Sequence, residues 1–345
     1  MALDNINKIL VINLGGIGDV LLSTPVLKAL KSTYVKAKVD ILTVPRVYEL
    51  TKEMPFINKA YTFYLNLGGI FRNLITLFSL RKEKYDLAIN MRTLVSKKSA
   101  KKIKAMLDII GSKVKAGRDT EGRGDFFDIK INESDTSQRY EMEYDIEFAE
   151  LLGVKVIDRK VDFNISQEST ERLSKILNKL EIKKEDVLIG IHSGGKLSHR
   201  WPIGYFKELI TQLDKEKRCR FVITGDRNEL NLAEFLIKDS NAKIINLCGK
   251  LSLRELGALM QRCNAFIAND TGIIHIAAAL NVPLVAIFGP GYLSRYDPRV
   301  ISDKAEVVYN KAECAPCDKV TCSDMRCLKA LSVDKVIAAA LALMG

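Results

Sequence analysis

The stretch that decides the fold is residues 265–288, AFIANDTGIIHIAAALNVPLVAIF. It opens with an apolar run, 265–268, that is typical of a buried strand. The segment Asn-Asp-Thr-Gly-Ile-Ile-His, 269–275, leads into an alanine-rich run of helical composition, and a second strand-like run covers 283–288. A strand that turns through Asp-Thr-Gly into a helix leaves backbone N–H groups that suit a phosphate. A capped core helix of any α/β protein explains the same residues equally well.

Strand-like and helical segments alternate over most of the chain. The further strand candidates are residues 8–14, 39–44, 87–90, 187–192, 220–224 and 244–247, and the helical candidates include 25–34, 205–214, 229–238 and 253–262. Such alternation predicts parallel sheets with helices on both faces. We therefore expect two doubly wound domains with a boundary near residue 165. Domains of this kind bind ligands beyond the carboxyl ends of their strands, in the cleft between them.

The composition is that of a folded protein with an anionic partner. The 345 residues are 47% hydrophobic and 28% charged, which excludes global disorder. Asp4 precedes the first apolar run, and Asn13 and Gly15 interrupt it, so we expect no signal peptide and a cytoplasmic location. The 53 basic residues exceed the 42 acidic ones, giving a formal net charge of +11.

Much of the excess positive charge falls in residues 92–118. Asp108 is the only acidic residue there, and Lys97, Lys101 and Lys104 would share one helix face. The chain has none of the zinc-finger, aromatic RNA-binding or arginine-rich motifs that accompany nucleic-acid binding, so we expect no nucleic-acid partner. A solvated helix, a site for a phosphorylated sugar and contact with an anionic membrane surface remain open for this segment.

The first loop, residues 13–19, is glycine-rich and ends in a carboxylate. Its glycines lack the third member of the dinucleotide fingerprint, and Asp40, the only acid near the ribose-binding distance, begins a strand, which argues against a nicotinamide-dependent oxidoreductase. Asp19 follows the carboxyl end of a strand and enters a helix. It can cap that helix or accept a proton from a substrate hydroxyl.

The loop 192–202 follows another apolar strand and gathers cationic groups. Lys196, His199 and Arg200 can stabilise a departing diphosphate without a metal. All three histidines of the chain lie in this loop or in 269–275. In the loop 225–229, Glu229 can bind ribose hydroxyls or cap a helix. The absence of any Asp-x-Asp pair argues against a Mg²⁺ or Mn²⁺ diphosphate clamp.

Taken in order, these motifs resemble glycosyltransferase family 9, the ADP-heptose:lipopolysaccharide heptosyltransferases. The resemblance runs over about residues 8–335. The residues that carry it are Ile17-Gly18-Asp19 with Pro25, Trp201-Pro202, Leu251-Ser252-Leu253, Asn269-Asp270-Thr271-Gly272 with His275, and Phe288-Gly289-Pro290.

The resemblance implies a GT-B fold, which is an α/β architecture of two Rossmann-like domains facing a cleft. Residues 1–165 would bind the acceptor and 166–345 the nucleotide sugar, with the last helix able to pack back on the first domain. It also implies inverting, metal-independent transfer of heptose from ADP-L-glycero-D-manno-heptose to the anionic inner core of lipopolysaccharide, by a cytoplasmic enzyme that can touch the inner membrane peripherally.

By position in the family motifs, Asp19 matches the general base. Arg92 and Arg118 are our candidates for acceptor binding, because they belong to the basic segment of the first domain. The candidates for donor binding are Gly18, Ser193, Gly194, Gly195, Lys196, His199, Arg200, Glu229, Leu251, Asp270, Thr271, Gly272 and His275.

Two departures from the family pattern keep alternatives open. His199 stands where the family usually carries a lysine, and Asn13 where it often carries arginine. The alternatives are a family 9 enzyme with another nucleotide sugar or another acceptor, a protein hydroxyl included, and a non-catalytic protein that binds ADP-sugars.

Four of the seven cysteines lie close together near the C-terminal end of the sequence. Cys314, Cys317, Cys322 and Cys327 could supply four thiolates to a structural zinc or iron ion. Free thiols are the alternative, because disulfides are rare in a reducing cytoplasm. We expect no cofactor in catalysis and no catalytic role for this cluster.

Overall fold

A computed structural model describes residues 6–134, 139–317 and 319–345. The chain forms two compact units, Met1–Asp162 and Phe163–Gly345. Each contains a six-stranded sheet in which all the neighbouring strands are parallel. The architecture is therefore the two-domain α/β fold that the sequence predicts.

The first unit is built on the strand order β3-β2-β1-β4-β5-β6. These strands are β1 (Lys8–Asn13), β2 (Lys38–Thr43), β3 (Lys59–Thr62), β4 (Leu87–Asn90), β5 (Val114–Thr120) and β6 (Ile129–Glu133). The helices are α1 (Ile17–Leu22), α2 (Thr24–Thr33), α3 (Pro45–Thr51), α4 (Ile70–Glu83), α5 (Lys97–Ile110) and α6 (Glu141–Leu151), with a 3-10 turn at Leu67–Gly69. Strand order reverses between β1 and β4, which makes that position the switch point of the sheet.

The second unit repeats the plan with the order β12-β11-β10-β7-β8-β9. Its strands are β7 (Leu188–His192), β8 (Arg220–Ile223), β9 (Lys243–Asn246), β10 (Ala265–Asn269), β11 (Leu284–Phe288) and β12 (Ala305–Tyr309). Its helices are α7 (Gln167–Lys179), α8 (Ile203–Lys217), α9 (Leu230–Ile237), α10 (Leu253–Arg262), α11 (Gly272–Ala279), α12 (Leu293–Tyr296), α13 (Arg326–Lys329) and α14 (Val333–Met344). Three 3-10 turns cover Leu197–His199, Arg227–Glu229 and Pro298–Val300. The switch point here lies between β7 and β10.

The central strands form because their side chains are apolar on both faces and are covered by helices on both. Every residue of β7, β10 and β11 is buried. The last helix, α14, contributes Val336, Ile337 and Ala340 to the core of the second unit, together with Trp201. Thus α14 packs within its own unit, whereas the sequence left open that this helix packs back on the first domain. Within the described residues, no helix is long and apolar enough to cross a membrane.

Four strands escape prediction from the sequence, namely β3, β5, β6 and β12. The clearest case is β5, VKAGRDT, whose charged residues argue against a buried strand. Arg118 is nevertheless inaccessible to solvent, because carboxylates from two other elements surround it. A pattern based on hydrophobicity cannot anticipate such compensation between distant segments.

Candidate active site

The switch point of the first unit carries Asp19. The loop after β1 turns at Gly15 and Gly16, and Asp19 lies in the first turn of α1. Its Oδ2 accepts a hydrogen bond from the N–H of Gly16 at 2.6 Å, so the side chain caps the helix. A Cβ atom at Gly15 would lie 2.5 Å from the Cβ of Asp19, which explains the glycine at that position.

Arg92 follows β4 and meets Asp19 across the switch point. Its Nη1 lies 2.8 Å from Oδ1 of Asp19 and 2.6 Å from Oε1 of Glu141. The Asp19 side chain remains 16% exposed and that of Arg92 21% exposed, whereas that of Glu141 is fully buried. The carboxylate of Asp19 is therefore fixed in position by two donors and is still accessible from solution. This is the geometry expected of a general base.

A buried ionic cluster lies behind Arg92. Arg118 is fully buried, and its Nη1 is 2.8 Å from Glu141 and 3.4 Å from Glu133. Its Nη2 contacts Asp145, whose other oxygen accepts a hydrogen bond from Ser23 at 2.6 Å. Oγ of Ser23 also lies 2.9 Å from the backbone carbonyl oxygen of Asp19. The cluster is thus connected to the loop of Asp19 both through Arg92 and through Ser23.

Among the ion pairs that the described residues of this cluster form, carboxylates outnumber cations. Asp19, Glu133, Glu141 and Asp145 face two arginines, Arg92 and Arg118. Burial raises the pKa of Asp145 to about 6, although Arg118 acts in the opposite direction. Burial alone would lower the pKa of Arg118, but the surrounding carboxylates raise it above its ordinary value. The guanidinium of Arg118 is therefore permanently charged.

The burial of Arg118 changes the role that the sequence suggests for it. Its side chain has no exposed surface, so it does not present its guanidinium to an acceptor. It instead orients Glu141, which in turn holds Arg92. Arg92 is the one of the two predicted acceptor-binding arginines that reaches solvent.

In the second unit, Asn269 connects the loops on either side of the switch point. It is the last residue of β10 and is fully buried. Its Nδ2 donates to the carbonyl oxygens of Ser193 and Gly194 at 2.9 and 3.1 Å, and its Oδ1 accepts from the N–H of Trp201 at 3.0 Å. One side chain thus fixes both ends of the loop that follows β7.

Two glycines let this loop approach its neighbours closely. A Cβ atom at Gly194 would overlap the carboxylate of Glu229. Gly195 has a φ of +117°, and a Cβ atom there would lie 2.5 Å from Cγ2 of Thr271. The predicted donor loop, Glu229 and the start of α11 therefore pack directly against one another.

Glu229 anchors the loop 225–229 against the donor loop. One oxygen accepts from the N–H of Gly195 at 2.8 Å and lies 3.3 Å from Nη2 of Arg200, and the other accepts from the N–H of Asp226 at 3.0 Å. Nε of Arg200 also donates to the carbonyl of Gly195 at 2.8 Å. Glu229 therefore performs the capping role that the sequence allows, and the ribose-binding role remains a prediction.

The histidines have separate environments. His192, at the end of β7, lies 3.1 Å from the hydroxyl of Thr224, and burial lowers its pKa, so it is neutral. His199 is also buried; its Nδ1 is 2.9 Å from the hydroxyl of Ser198 and its Nε2 is 3.8 Å from Oδ2 of Asp270. His275 lies within α11 and packs edge-on against Tyr296. His199 thus faces the start of the Asp-Thr-Gly turn.

The remaining candidates occupy the carboxyl edge of the same sheet. Thr271 caps α11, its hydroxyl accepting from the N–H of Ile273 at 3.4 Å, and Gly272 begins the helix. Lys196 is exposed on the donor loop. Leu251 is half-buried just before α10. Gly18 differs from the other predicted donor residues because it is buried in α1 of the first unit.

Several structurally important residues are absent from the sequence-based site. Asn269 has a sequence signal, because it is a polar residue at the end of an otherwise apolar strand. Glu133, Glu141 and Asp145 have none, because their charges become informative only when β5, β6 and α6 are known to pack together.

The four clustered cysteines differ in burial. Cys327 is buried in the core of the second unit, whereas Cys314 is exposed and Sγ of Cys322 accepts from the N–H of Met325 at 3.4 Å. In the parts of the chain that the structure describes, no three His, Cys, Asp or Glu side chains are arranged to hold a metal ion. A zinc or iron ion at these thiols therefore stays a prediction from the sequence.

Comparison with known proteins identifies the family. The model of glycosyltransferase family 9 (heptosyltransferase) matches residues 76–327. The chain is 28% identical over 321 residues to lipopolysaccharide heptosyltransferase 2 of Salmonella typhimurium, covering 87% of each chain.

Two solved structures share the fold. One is the Escherichia coli ADP-heptose lps heptosyltransferase II, at 24% identity, a TM-score of 0.75 and 98% coverage of each chain. The other is a family 9 glycosyl transferase of Veillonella parvula, at 22% identity and a TM-score of 0.81, covering 100% of this chain and 98% of that one. Because the family model covers most of the chain and both units have the parallel α/β sheets of the GT-B fold, the chain belongs to glycosyltransferase family 9 and is a glycosyltransferase.

Proposed function

We propose that this protein transfers heptose from ADP-L-glycero-D-manno-heptose to the inner core of lipopolysaccharide, in the cytoplasm. The substrate class is taken from the names of its relatives, among them the lipopolysaccharide heptosyltransferase 2 of Salmonella typhimurium. The observation that carries the chemistry is the carboxylate of Asp19, which is held by the N–H of Gly16 and by Arg92 and remains accessible.

In the proposed reaction, the carboxylate of Asp19 takes the proton of an acceptor hydroxyl. The hydroxyl oxygen attacks the anomeric carbon from the face opposite ADP, and the bond from that carbon to the β-phosphate oxygen breaks. ADP leaves with the electron pair of that bond. Because the attack comes from the opposite face, the configuration at the anomeric carbon inverts. Such base catalysis contributes about 10²–10⁴-fold in rate.

The second unit supplies the donor site in this proposal. The first N–H groups of α11 and the hydroxyl of Thr271 bind the diphosphate, as helix N-termini bind anions. Lys196 and Arg200 neutralise the charge of the departing ADP, and His199 donates a hydrogen bond, so no metal is required. Glu229 faces the ribose and Leu251 the adenine, as the resemblance to the family implies.

The first unit supplies the acceptor site. Arg92 is a partly exposed cation next to the base, and it suits a phosphate or carboxylate group on an inner-core sugar. Because Arg92 contacts Asp19 and Glu141 at the same time, binding of an acceptor anion and positioning of the base are coupled.

Replacement of Asp19 by asparagine tests the base. The amide oxygen of asparagine still accepts the hydrogen bond from Gly16, so α1 keeps its cap. We expect turnover to fall by at least about 10²-fold with ADP affinity unchanged. Asp158→Asn is the matched control, because Asp158 is a solvent-exposed carboxylate of the same unit and pairs with Lys28. The readout is mass spectrometry of truncated core acceptors with ADP-heptose. Undiminished turnover of D19N would refute the assignment.

The position of His199 favours one alternative, which is a different nucleotide-sugar donor. The imidazole is buried between Ser198 and Asp270, where the family usually has a lysine. Thermal shifts with ADP, UDP and GDP distinguish the nucleotides. Binding of ADP without any transfer or donor hydrolysis would identify a non-catalytic ADP-sugar-binding protein.

A further inference from the structure

The cysteines of the second unit differ in their access to solvent. Cys219, Cys248 and Cys263 are buried, and burial raises the pKa of these thiols to about 11, 11 and 12. Cys314 is exposed and Cys317 is half-buried. A small oxidant in solution therefore reaches the segment that begins at Cys314 more readily than the three buried thiols.

Two of the clustered thiols form a C-x-x-C pair, Cys-Ala-Pro-Cys at 314–317. This is the spacing of redox dithiols, in which a solvent-accessible thiol is oxidised first and a neighbouring thiol resolves it. The other two thiols of the cluster have partners elsewhere. Sγ of Cys322 accepts a backbone N–H hydrogen bond at 3.4 Å, and Cys327 packs in the core of the second unit. We therefore take Cys314 and Cys317 as the reacting pair.

The chain just after this pair is hydrogen-bonded to the donor loop, residues 192–202. The N–H of Ser198 donates to the carbonyl of Val320 at 3.2 Å, and its hydroxyl donates to the carbonyl of Lys319. The same hydroxyl oxygen lies 2.9 Å from Nδ1 of His199. Because the single hydroxyl proton of Ser198 goes to Lys319, the imidazole is the donor in this second contact. The orientation of His199 thus depends on the chain that follows the cysteine pair.

Cys317 also contacts the loop after β11. Its N–H donates to the carbonyl of Pro290 at 2.9 Å. A Cβ atom at the next residue of that loop, Gly291, would lie 2.0 Å from Oδ2 of Asp270 and 3.6 Å from Nε2 of His199. The loop therefore packs directly against the start of the Asp-Thr-Gly turn. The backbone at and after the cysteine pair is thus anchored to the two loops on either side of His199.

We propose that Cys314 and Cys317 form a reversible disulfide when a hydroperoxide oxidises them, and that this disulfide changes the conformation of the donor loop and its affinity for ADP. One thiol sulfur attacks a peroxide oxygen and becomes a sulfenic acid, releasing an alcohol, or water when the oxidant is hydrogen peroxide. The second thiol displaces water from the sulfenic sulfur, and the S–S bond forms. Two electrons and two protons pass from the thiols to the peroxide.

The consequence for ADP follows from the backbone contacts of the pair. Closing the S–S bond moves the backbone of Cys317, which holds Pro290, and the chain leading to Lys319 and Val320, which holds Ser198. The effect on ADP rests on the proposed donor site, whereas formation of the disulfide does not.

Peptide mapping by mass spectrometry tests the disulfide. The full chain is reduced with dithiothreitol, treated with hydrogen peroxide, and its remaining free thiols are labelled before digestion. We expect a disulfide between Cys314 and Cys317 that dithiothreitol reverses, with Cys219, Cys248 and Cys263 still free, because thiol reactivity follows exposure. Absence of a disulfide between Cys314 and Cys317 would overturn the proposal.

Calorimetry with ADP tests the consequence. Oxidation of the wild type should lower ADP affinity at least about fivefold, the effect of losing one hydrogen bond. Cys314→Ser should bind ADP as the reduced wild type does, because Cys314 is exposed, and should not respond to peroxide. Cys322→Ser is the matched control: its hydroxyl can still accept the backbone hydrogen bond, and it should respond as the wild type does. Equal ADP affinity of the reduced and oxidised wild type, or loss of the response in C322S, would overturn the proposal.

The single tryptophan of the chain gives a readout that does not need ADP. Trp201 is buried in the donor loop two residues after His199, and its N–H donates to Oδ1 of Asn269 at 3.0 Å. Its fluorescence should change when the wild type is oxidised and stay unchanged in C314S. A reduced protein that does not bind ADP would refute the proposed function, and the fluorescence then decides this proposal. A change on oxidation supports it, and an unchanged spectrum overturns it.

Elemental analysis of the purified protein decides between a redox pair and a metal site. Reduced protein without a stoichiometric metal supports the free dithiol. About one zinc or iron ion per chain, with a lower content in C314S, would make these thiols metal ligands and overturn the proposal.

Discussion

Arg118→Met should destabilise the first unit strongly. Arg118 is fully buried and contacts Glu133, Glu141 and Asp145, whose side chains are at most 2% exposed. Methionine fills similar space but leaves four carboxylates with Arg92 as the remaining cation of the cluster. Removing one partner of a buried ionic network costs about 3–5 kcal/mol, because the other charges stay buried with one counter-charge fewer.

The expected effect is measurable as a shift in melting temperature. For a unit of 162 residues, about 3–5 kcal/mol lowers Tm by roughly 6–20 °C. The assay is thermal and urea unfolding followed by circular dichroism. The loss of unfolding free energy in Arg118→Met should be larger at pH 8 than at pH 5, because loss of the guanidinium raises the pKa of the buried carboxyls in the folded state. Stability that depends on protonated carboxyls is lost as pH rises through those raised values.

Arg139→Met is the matched control. The guanidinium carbon of Arg139 is 5.1 Å from the centre of the Tyr144 ring, and so is that of Arg118. The side chain of Arg139 is 44% exposed, however, and pairs with Glu147 at the surface, so its loss should cost less than about 1 kcal/mol. The reasoning about burial would be refuted if the two variants lost similar amounts of unfolding free energy, or if the loss in R118M did not change with pH.

Two further variants test the buried carboxyl and the donor loop. As pH rises from about 4 to 7, the free energy of unfolding of Asp145→Asn should increase relative to that of the wild type by up to about 3 kcal/mol, because the wild type must ionise a group whose folded pKa is about 6. A difference that stays constant across a pH series of urea unfolding would contradict this. Gly195→Ala should weaken ADP binding about tenfold, measured by calorimetry, because φ is +117° and the new methyl meets Thr271. The control is Gly204→Ala, at an open position in α8, which should bind ADP as the wild type does. Equal ADP affinities of the two variants would show that the loop after β7 tolerates the change at Gly195 and would contradict the prediction.

The candidate site is largely predictable from the sequence, and the reason is geometric. Asp19, Ser193 and Thr271 follow apolar runs closely, and the carboxyl ends of parallel strands meet at one edge of a sheet. Polar or glycine-rich residues directly after such runs therefore reach a common region within each unit. For the same reason β7, β10 and β11, which are continuous apolar runs, are predictable with nearly correct boundaries.

The support behind Asp19 is not predictable in the same way. Arg118 belongs to a basic stretch, which favours an exposed position, and nothing in the local pattern reveals Glu141 as its partner 23 residues later. Burial of such charges is favourable only when their mutual geometry compensates for desolvation. That condition depends on the packing of α6 against β5 and β6, which a single sequence does not specify locally.

A common structural reason explains why both candidate loops need a buried polar partner. At a switch point, the chains leave neighbouring strands toward opposite faces of the sheet, so helices do not cover the loops between them. The polar groups of such a loop must find partners on the neighbouring strand. Arg92, just after β4, fulfils this for Asp19, and Asn269, at the end of β10, fulfils it for the carbonyls of Ser193 and Gly194. The two residues thus occupy equivalent positions in the two sheets, one as a charged partner and the other as a neutral one.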